Sequence, residues 1–292
     1  MKLATFSHGG SMRIGVVDGD DVVDLSAADA TLPTEMSAFL AAGEAALAAA
    51  QKAVDGGGNR IALSDVTLEA PVQRPGKYLG VGLNYMDHIQ QTGQKVPENL
   101  LIFNKQSTCV NGPYAPFHMP KISDNLDYEG ELGLVIGTRC RHVSKEDAAQ
   151  VIAGYTIVND VSVRDVQRRG RTLTLGKSYD THGPMGPWIV TSDEVGDPHT
   201  LDSKTWINDE LRQDTNTGEL IFDCYDIVSQ LSTIHTLEPG DVIATGTSGG
   251  TANGFDPPKW IKVGDVVKIE IERIGTIANE VIAEPESTAH IG

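Results

Sequence analysis

Asp127-Tyr128-Glu129-Gly130-Glu131-Leu132-Gly133-Leu134-Val135-Ile136 sets two glutamates one residue apart and then runs into an apolar, β-branched segment bounded by glycine, which reads as a strand. Side chains alternate along a strand, so Glu129 and Glu131 share a face as neighbours. Like charges that close repel unless a cation sits between them. By itself a Glu-x-Glu pair is most often a solvated strand face, so its meaning depends on what surrounds it.

On either side the texture repeats. KYLGVGLNY (77–85), LLIFNK (100–105), VIAGYTIVND (151–160), GPWIVTS (186–192), DVIATGT (241–247) and DVVKIEIERIG (265–275) are apolar or β-branched runs closed by Gly, Pro or Asp. Helical patterns are few. One starts at Ser144, with Asp147 completing a capping-box-like pair, and another covers roughly Phe222 to His235. Many strands with few helices predict an α+β, β-rich roll, barrel or sandwich rather than alternating βαβ units. Before Lys77, residues 1–28 read as short hairpin strands. A helix is expected from Pro33-Thr34 to the Asp55-Gly56-Gly57-Gly58 stop. Together these predict a small N-terminal α+β domain at 1–72 and a larger β-rich domain at 73–292.

Composition sets the outer limits. With 292 residues, 40% of them apolar, the chain can bury a full core; 31 Gly and 14 Pro imply many tight turns. Forty acidic against 23 basic side chains give a net charge of −17. That field disfavours nucleic acid and anionic membranes as partners, and an anionic substrate would need local cations. The three cysteines (Cys109, Cys140, Cys224) lack metal or redox spacing, no apolar run approaches the roughly 18 residues of a membrane span, and MKLATFSHGGSM is no signal peptide. A reducing, cytoplasmic setting is the expectation.

Three further clusters could carry chemistry. In Asn159-Asp160-Val161-Ser162-Val163-Arg164-Asp165-Val166-Gln167 the pattern predicts a strand giving way to a helix, on which Asp160, Arg164 and Gln167 would share a face. The plain alternative there is an N-cap Asp with an i,i+4 ion pair. Glu129, Glu131 and Asp160 together, with no soft ligand nearby, suit a hard divalent cation, Mg²⁺ or Mn²⁺, rather than zinc. His88 follows the strand 77–81 in a polar segment (84–98) that reads as a short helix or flap, where an imidazole over a metal would be a natural general base. His118, His182 and His235 read as structural. Lys105 and Lys177 could supply the local cations; the Gly-rich loop 245–250 resembles an anion cradle, but no Gly-Lys-Ser/Thr follows and a P-loop is rejected.

In this order GVGLNYMDH, IFNKQST, DYEGELGLVIG, AGYTIVNDVSVRDVQ, LGKSYDTHGPMGPW and IATGTSGG resemble the fumarylacetoacetate hydrolase family, from about Lys77 to Val281. The resemblance implies a mixed β-roll catalytic domain, a small N-terminal domain and a homodimer. It implies Mg²⁺, Mn²⁺ or Ca²⁺ on Glu129, Glu131 and Asp160, with His88, Lys105 and Lys177 catalytic and Arg164, Gln167 and Thr247 binding substrate. The expected substrate is a small 2-oxo acid. The expected reaction is hydrolysis of the C3–C4 bond of a 2,4-dioxo acid, such as 2,4-diketo-3-deoxy-L-rhamnonate, to pyruvate and a carboxylic acid. Oxaloacetate decarboxylation or 2-oxo-3-deoxy acid dehydration is the alternative, and a non-catalytic binding protein the third reading. Two departures stand out: Gln91 where relatives commonly place a Glu to orient the flap histidine, and TGTSGGTANG (245–254) where many have Pro and then Gly-Val.

Overall fold

The computed structural model describes residues 1–288; the last residues of the expected catalytic unit, 289–292, lie outside it. Its β-rich α+β architecture is a mixed β-roll built on two main sheets. The larger is twelve-stranded. Its central path runs from Lys2–His8 through Gly183–Thr191, Ile152–Asn159, Gly130–Ile136, Val242–Ala244 and Tyr78–Gly82 to the edge strand Leu101–Lys105. Every residue of Gly130–Ile136 is buried, because both faces of this part of the sheet are covered. The five-stranded sheet contrasts with it. Its strand Val266–Ile271 alternates, with Val267, Ile269 and Ile271 buried and Val266 and Glu270 exposed, as expected where one face meets solvent.

The two sheets close over a core that includes Leu132, Leu134, Ile157, Ile269 and Ile277. Gly130 sits where they approach: a Cβ there would lie 2.3 Å from Thr205 Oγ1 of the opposing sheet. A larger residue between the two glutamates would push the sheets apart.

The N-terminal strands continue the large sheet, with Lys2 and Leu3 opposite Val190 and Ile189. Leu3, Ile14, Met36 and Phe39 share one apolar cluster with Val135, Val158 and Val242, so sheet and core cross residues 72–73 without interruption. Two local expectations are corrected. The helix expected over 33–55 is two helices, Met36–Ala41 and Gly43–Asp55, because Gly43 adopts a left-handed φ of +65° that breaks the first. The segment after Ser144 keeps the Ser144–Asp147 side-chain pair at 3.1 Å, but continues only as a 3₁₀ turn, Ala148–Val151. The helix Cys224–Ile234 forms as expected, capped by Asp223. All three cysteines are free and buried.

Candidate active site

Sheet register brings the acidic side chains together. Gly130 lies opposite Asn159 in an antiparallel pair, so Glu129 meets Asp160 one step further along, and the Asp160 amide donates to the Glu129 carbonyl at 2.9 Å. Glu131 stands two residues on, on the same face. Carboxylate oxygens of Glu129, Glu131 and Asp160 lie within 4.8 Å of one another, all buried.

The neighbouring strand supplies the next layer. Gly133 pairs with Ala244, which carries the chain on to Gly246, whose amide donates to Glu131 Oε2 at 2.7 Å. Gly246 has a φ of +107°, and a Cβ there would come within 2.7 Å of Asn84 Cβ, so only glycine serves. Thr247 follows. Its hydroxyl donates to the Gly130 carbonyl at 3.0 Å and accepts from Gln213 Nε2 at 2.8 Å.

Two lysines reach in from the other side. Lys105 ends the edge strand, opposite Tyr78, and its Nζ donates to Asp160 Oδ1 at 2.7 Å, to the His182 carbonyl at 3.0 Å and to the Lys177 carbonyl. Lys177 ends the 3₁₀ turn Thr174–Lys177 and bridges Glu129 Oε2 (2.5 Å) and Asp160 Oδ2 (2.6 Å). Burial alone would lower the Lys177 ammonium, but Asp160 and Glu129 outweigh it and raise its pKa.

Arg164 is held differently from the sequence expectation. Asp160 precedes the short strand Ser162–Val163, and the helical turn covers only Arg164–Gln167, so Asp160 neither caps that helix nor pairs with Arg164. The guanidinium instead donates from Nε to Asp127 Oδ2 (2.8 Å), from Nη2 to Glu129 Oε1 (2.6 Å) and from Nη1 to Gln167 Oε1 (3.0 Å). Burial would raise the Glu129 carboxyl, yet Arg164 and Lys177 prevail and hold it at about 2. Glu131 goes the other way: burial, then Asp160 and Glu129, push it well above the usual carboxylate range.

Glu131 is thus the uncompensated acid of the group. Its hydrogen bond comes from a neutral amide, and among the described residues it has no ion pair. An all-oxygen set of three buried carboxylates with one of them short of a counter-charge fits a hard divalent cation, and contains no thiolate or imidazole that would favour zinc. Glu129, Glu131 and Asp160 would hold it.

His88 lies on the helix Met86–Thr92, buried over a cleft of about 420 Å³ whose wall also includes Glu129, Glu131, Arg164, Gln167, Lys177 and Thr247. Asp160 and Lys105 sit behind that wall. Asn84 fixes the start of the helix by donating to the carbonyls of Phe222 (2.9 Å) and Thr245 (2.7 Å). Burial lowers the His88 pKa, and its Nδ1 has no hydrogen-bond partner. Gln91, which stands where a Glu would orient this imidazole, accepts from the Gly250 amide at 2.8 Å and fastens the helix to the 245–254 loop. Among the described residues no carboxylate is hydrogen-bonded to the ring; Glu129, held by Arg164 and Lys177, acts on it only through its charge.

Sequence reading passed over Asp127 and Gln213. Asp127 accepts from the amides of Tyr128 (2.9 Å), Ala252 (2.7 Å) and Asn253 (3.1 Å) as well as from Arg164. It opens the quoted 127–136 stretch, but nothing local marks it as an anchor. Gln213, on the hairpin strand Glu210–Asn216, accepts from the Gly130 amide and donates to Thr247, and no sequence signal points to it. Asp127→Asn is expected to destabilise the protein by about 3–5 kcal/mol in a denaturant titration, because it breaks a buried charge pair and frees the 251–253 loop. A loss below about 1 kcal/mol would mean that Glu129 alone suffices for Arg164.

Known proteins share the family and the fold of this chain. The family described as "Fumarylacetoacetate (FAA) hydrolase C-terminal" matches residues 77–282, and "Rv2993c-like, N-terminal" matches residues 1–71. The chain is 42% identical over 265 residues to "Oxaloacetate tautomerase Fahd2a, mitochondrial" of Rattus norvegicus, covering 90% of this chain and 85% of that one. It is 36% identical over 301 residues to "Oxaloacetate tautomerase YisK" of Bacillus subtilis, covering 96% and 100%. Its structure superposes with a TM-score of 0.81 and 36% identity on maleylpyruvate hydrolase from Sphingobium sp. SYK-6, solved in complex with manganese(II) and pyruvate, covering 98% of this chain and 100% of that one. No helix among the described residues is long and apolar enough to cross a membrane.

Proposed function

Because the chain belongs to the fumarylacetoacetate hydrolase family, we propose that it is a divalent-metal-dependent enzyme interconverting the keto and enol forms of a short 2-oxo acid, with oxaloacetate the substrate its relatives point to. The observation that carries this reading is the environment of His88. With Gln91 engaged by Gly250 and Nδ1 without a hydrogen-bond partner, burial outweighs the pull of the nearby Glu129 charge and leaves the imidazole a weak, neutral base. Activating a water for attack on a ketone would build up imidazolium without a dedicated counter-ion. Shuttling one proton at an already acidic C–H asks less of it.

Bound at Glu129, Glu131 and Asp160, Mg²⁺ or Mn²⁺ would supply electrophilic pull on the 2-oxo group and so acidify C3. His88 takes the C3 proton at a ring nitrogen. The C–H pair becomes the C2=C3 double bond, the 2-oxo oxygen gains the negative charge, and a proton returned to that oxygen completes the enol with no net gain or loss of atoms. Lys177 holds positive charge beside the reacting end, and Arg164 orients Gln167 at the wall.

One observation favours a second reading, hydrolysis of a 2,4-dioxo acid to pyruvate and a carboxylic acid: a cleft of about 420 Å³ leaves space beyond a four-carbon acid. A single assay separates the two. Protein with Mn²⁺ is given enol oxaloacetate, acetylpyruvate and a sugar-derived 2,4-dioxo acid, with and without EDTA, while enol absorbance, pyruvate and CO₂ are followed. EDTA-sensitive loss of enol absorbance without pyruvate is expected. Pyruvate in step with a new carboxylic acid would establish the hydrolase instead, and pyruvate with CO₂ from oxaloacetate would establish a decarboxylase.

A further inference from the structure

Cations around the cleft differ in whether the protein already neutralises them. Lys177 lies between two carboxylates, and Lys105 behind it meets Asp160. Arg164 meets Asp127 and Glu129, and its remaining contact goes to Gln167. Arg168 also lines the cleft, is exposed, and among the described residues makes no ion pair. Its hydrogen bond runs from Nη2 to a neutral acceptor, Asn253 Oδ1, at 2.5 Å. Its neighbour Arg169 is paired with Asp165. In a chain with 40 acidic residues, a cleft arginine without a carboxylate is a charge left for something else.

Its position is also defined. Arg168 continues the helical turn of Arg164–Gln167 with φ −74° and ψ −14°, so it stands one turn beyond Arg164, about 6 Å along the axis. Asn253, which holds it, donates its own amide to Asp127, the residue that anchors Arg164. Arg168 is therefore tied to the same frame as the carboxylate triad. Across three to four carbon–carbon bonds, the two carboxyl carbons of a C4 or C5 diacid lie roughly 4–5 Å apart.

We propose that Arg168 receives a second carboxylate at the far end of the substrate, so that the site selects four- to five-carbon 2-oxo dicarboxylates over 2-oxo acids with a neutral tail. This rests on the 2-oxo acid reading above and adds to it the charge of the tail. A carboxylate offers the guanidinium a bidentate, charge-assisted pair in place of the Asn253 amide oxygen.

The test uses binding, so that it does not depend on turnover. Mn²⁺-loaded protein is titrated calorimetrically with 3,3-difluoro-oxaloacetate, which cannot enolise, and with its 4-methyl ester. The native chain is expected to favour the diacid by on the order of tenfold or more. R168Q should weaken the diacid by about 10–100-fold and change the ester by less than about threefold, with R168K between. Unchanged melting curves for this exposed position exclude misfolding. Equal weakening of both ligands, no weakening of either, or no preference in the native chain would overturn the assignment. If the preference is present and depends on Arg168 but oxaloacetate is not turned over, the tautomerase reading fails and this one stands.

Discussion

Glu131→Gln is expected to raise the melting temperature of the metal-free protein and at the same time to abolish both its stabilisation by Mn²⁺ and its turnover. Burial and the neighbouring Asp160 and Glu129 carboxylates raise the folded-state pKa of Glu131 well above its ordinary value of 4.5. Stability from such a group is fully present below the unfolded pKa and is lost as pH rises towards the folded one, because the unfolded chain releases the proton first. Through that window the metal-free native chain should lose about 1.4 kcal/mol per pH unit from this residue. Glutamine carries no charge and removes that loss, while still accepting from the Gly246 amide that now meets Glu131 Oε2. The same change takes a ligand from the triad. Mn²⁺ at a hundredfold excess over Kd should stabilise the native chain by about 2.7 kcal/mol, and the variant by almost nothing. Melting curves from pH 5 to 8, with and without Mn²⁺, read all of this. A metal-free variant that melts below the native chain would mean that Glu131 is already compensated, and the metal assignment would lose its main support.

His88→Ala should lower kcat by about 10²–10⁴-fold while leaving Mn²⁺ affinity unchanged. The separation follows from placement: His88 is carried by the helix Met86–Thr92, whereas the triad is carried by the sheet. The pH profile gives an independent reading. Burial lowers the His88 pKa below 6.5, Glu129 draws it partly back, and Arg164 and Lys177 push it down further. The neutral base therefore persists into mildly acidic solution. kcat/KM should be flat through neutrality and fall only at a pH below 6.5, and this acid limb should be absent from whatever activity His88→Ala retains. A native profile already falling near pH 8 would assign the base to another group.

How the site assembles explains what could be read in advance. Glu129 and Glu131 were visible as neighbours because strand alternation is a property of contiguous backbone. His88 on a short helix, and a helix over roughly 222–235, were visible for the same local reason. Asp160, Arg164 and Gln167 do gather at one place, but a shared helix face is not the cause. Asp160 arrives through the Gly130–Asn159 register, and Arg164 through Asp127.

The sequence by itself determined the strand-rich texture, the acid pair and the residues able to act as base and as cations, because periods of 2.0 and 3.6 and residue chemistry are carried by consecutive positions. Only the tertiary structure decided that the first strand joins the large sheet beside Val190, that Gln91 serves Gly250 rather than His88, and that Glu131 is the acid left without a counter-charge among the described residues. Those outcomes depend on which distant strands pair and which charges share a buried, low-dielectric volume, and neither is encoded within any single stretch of the chain.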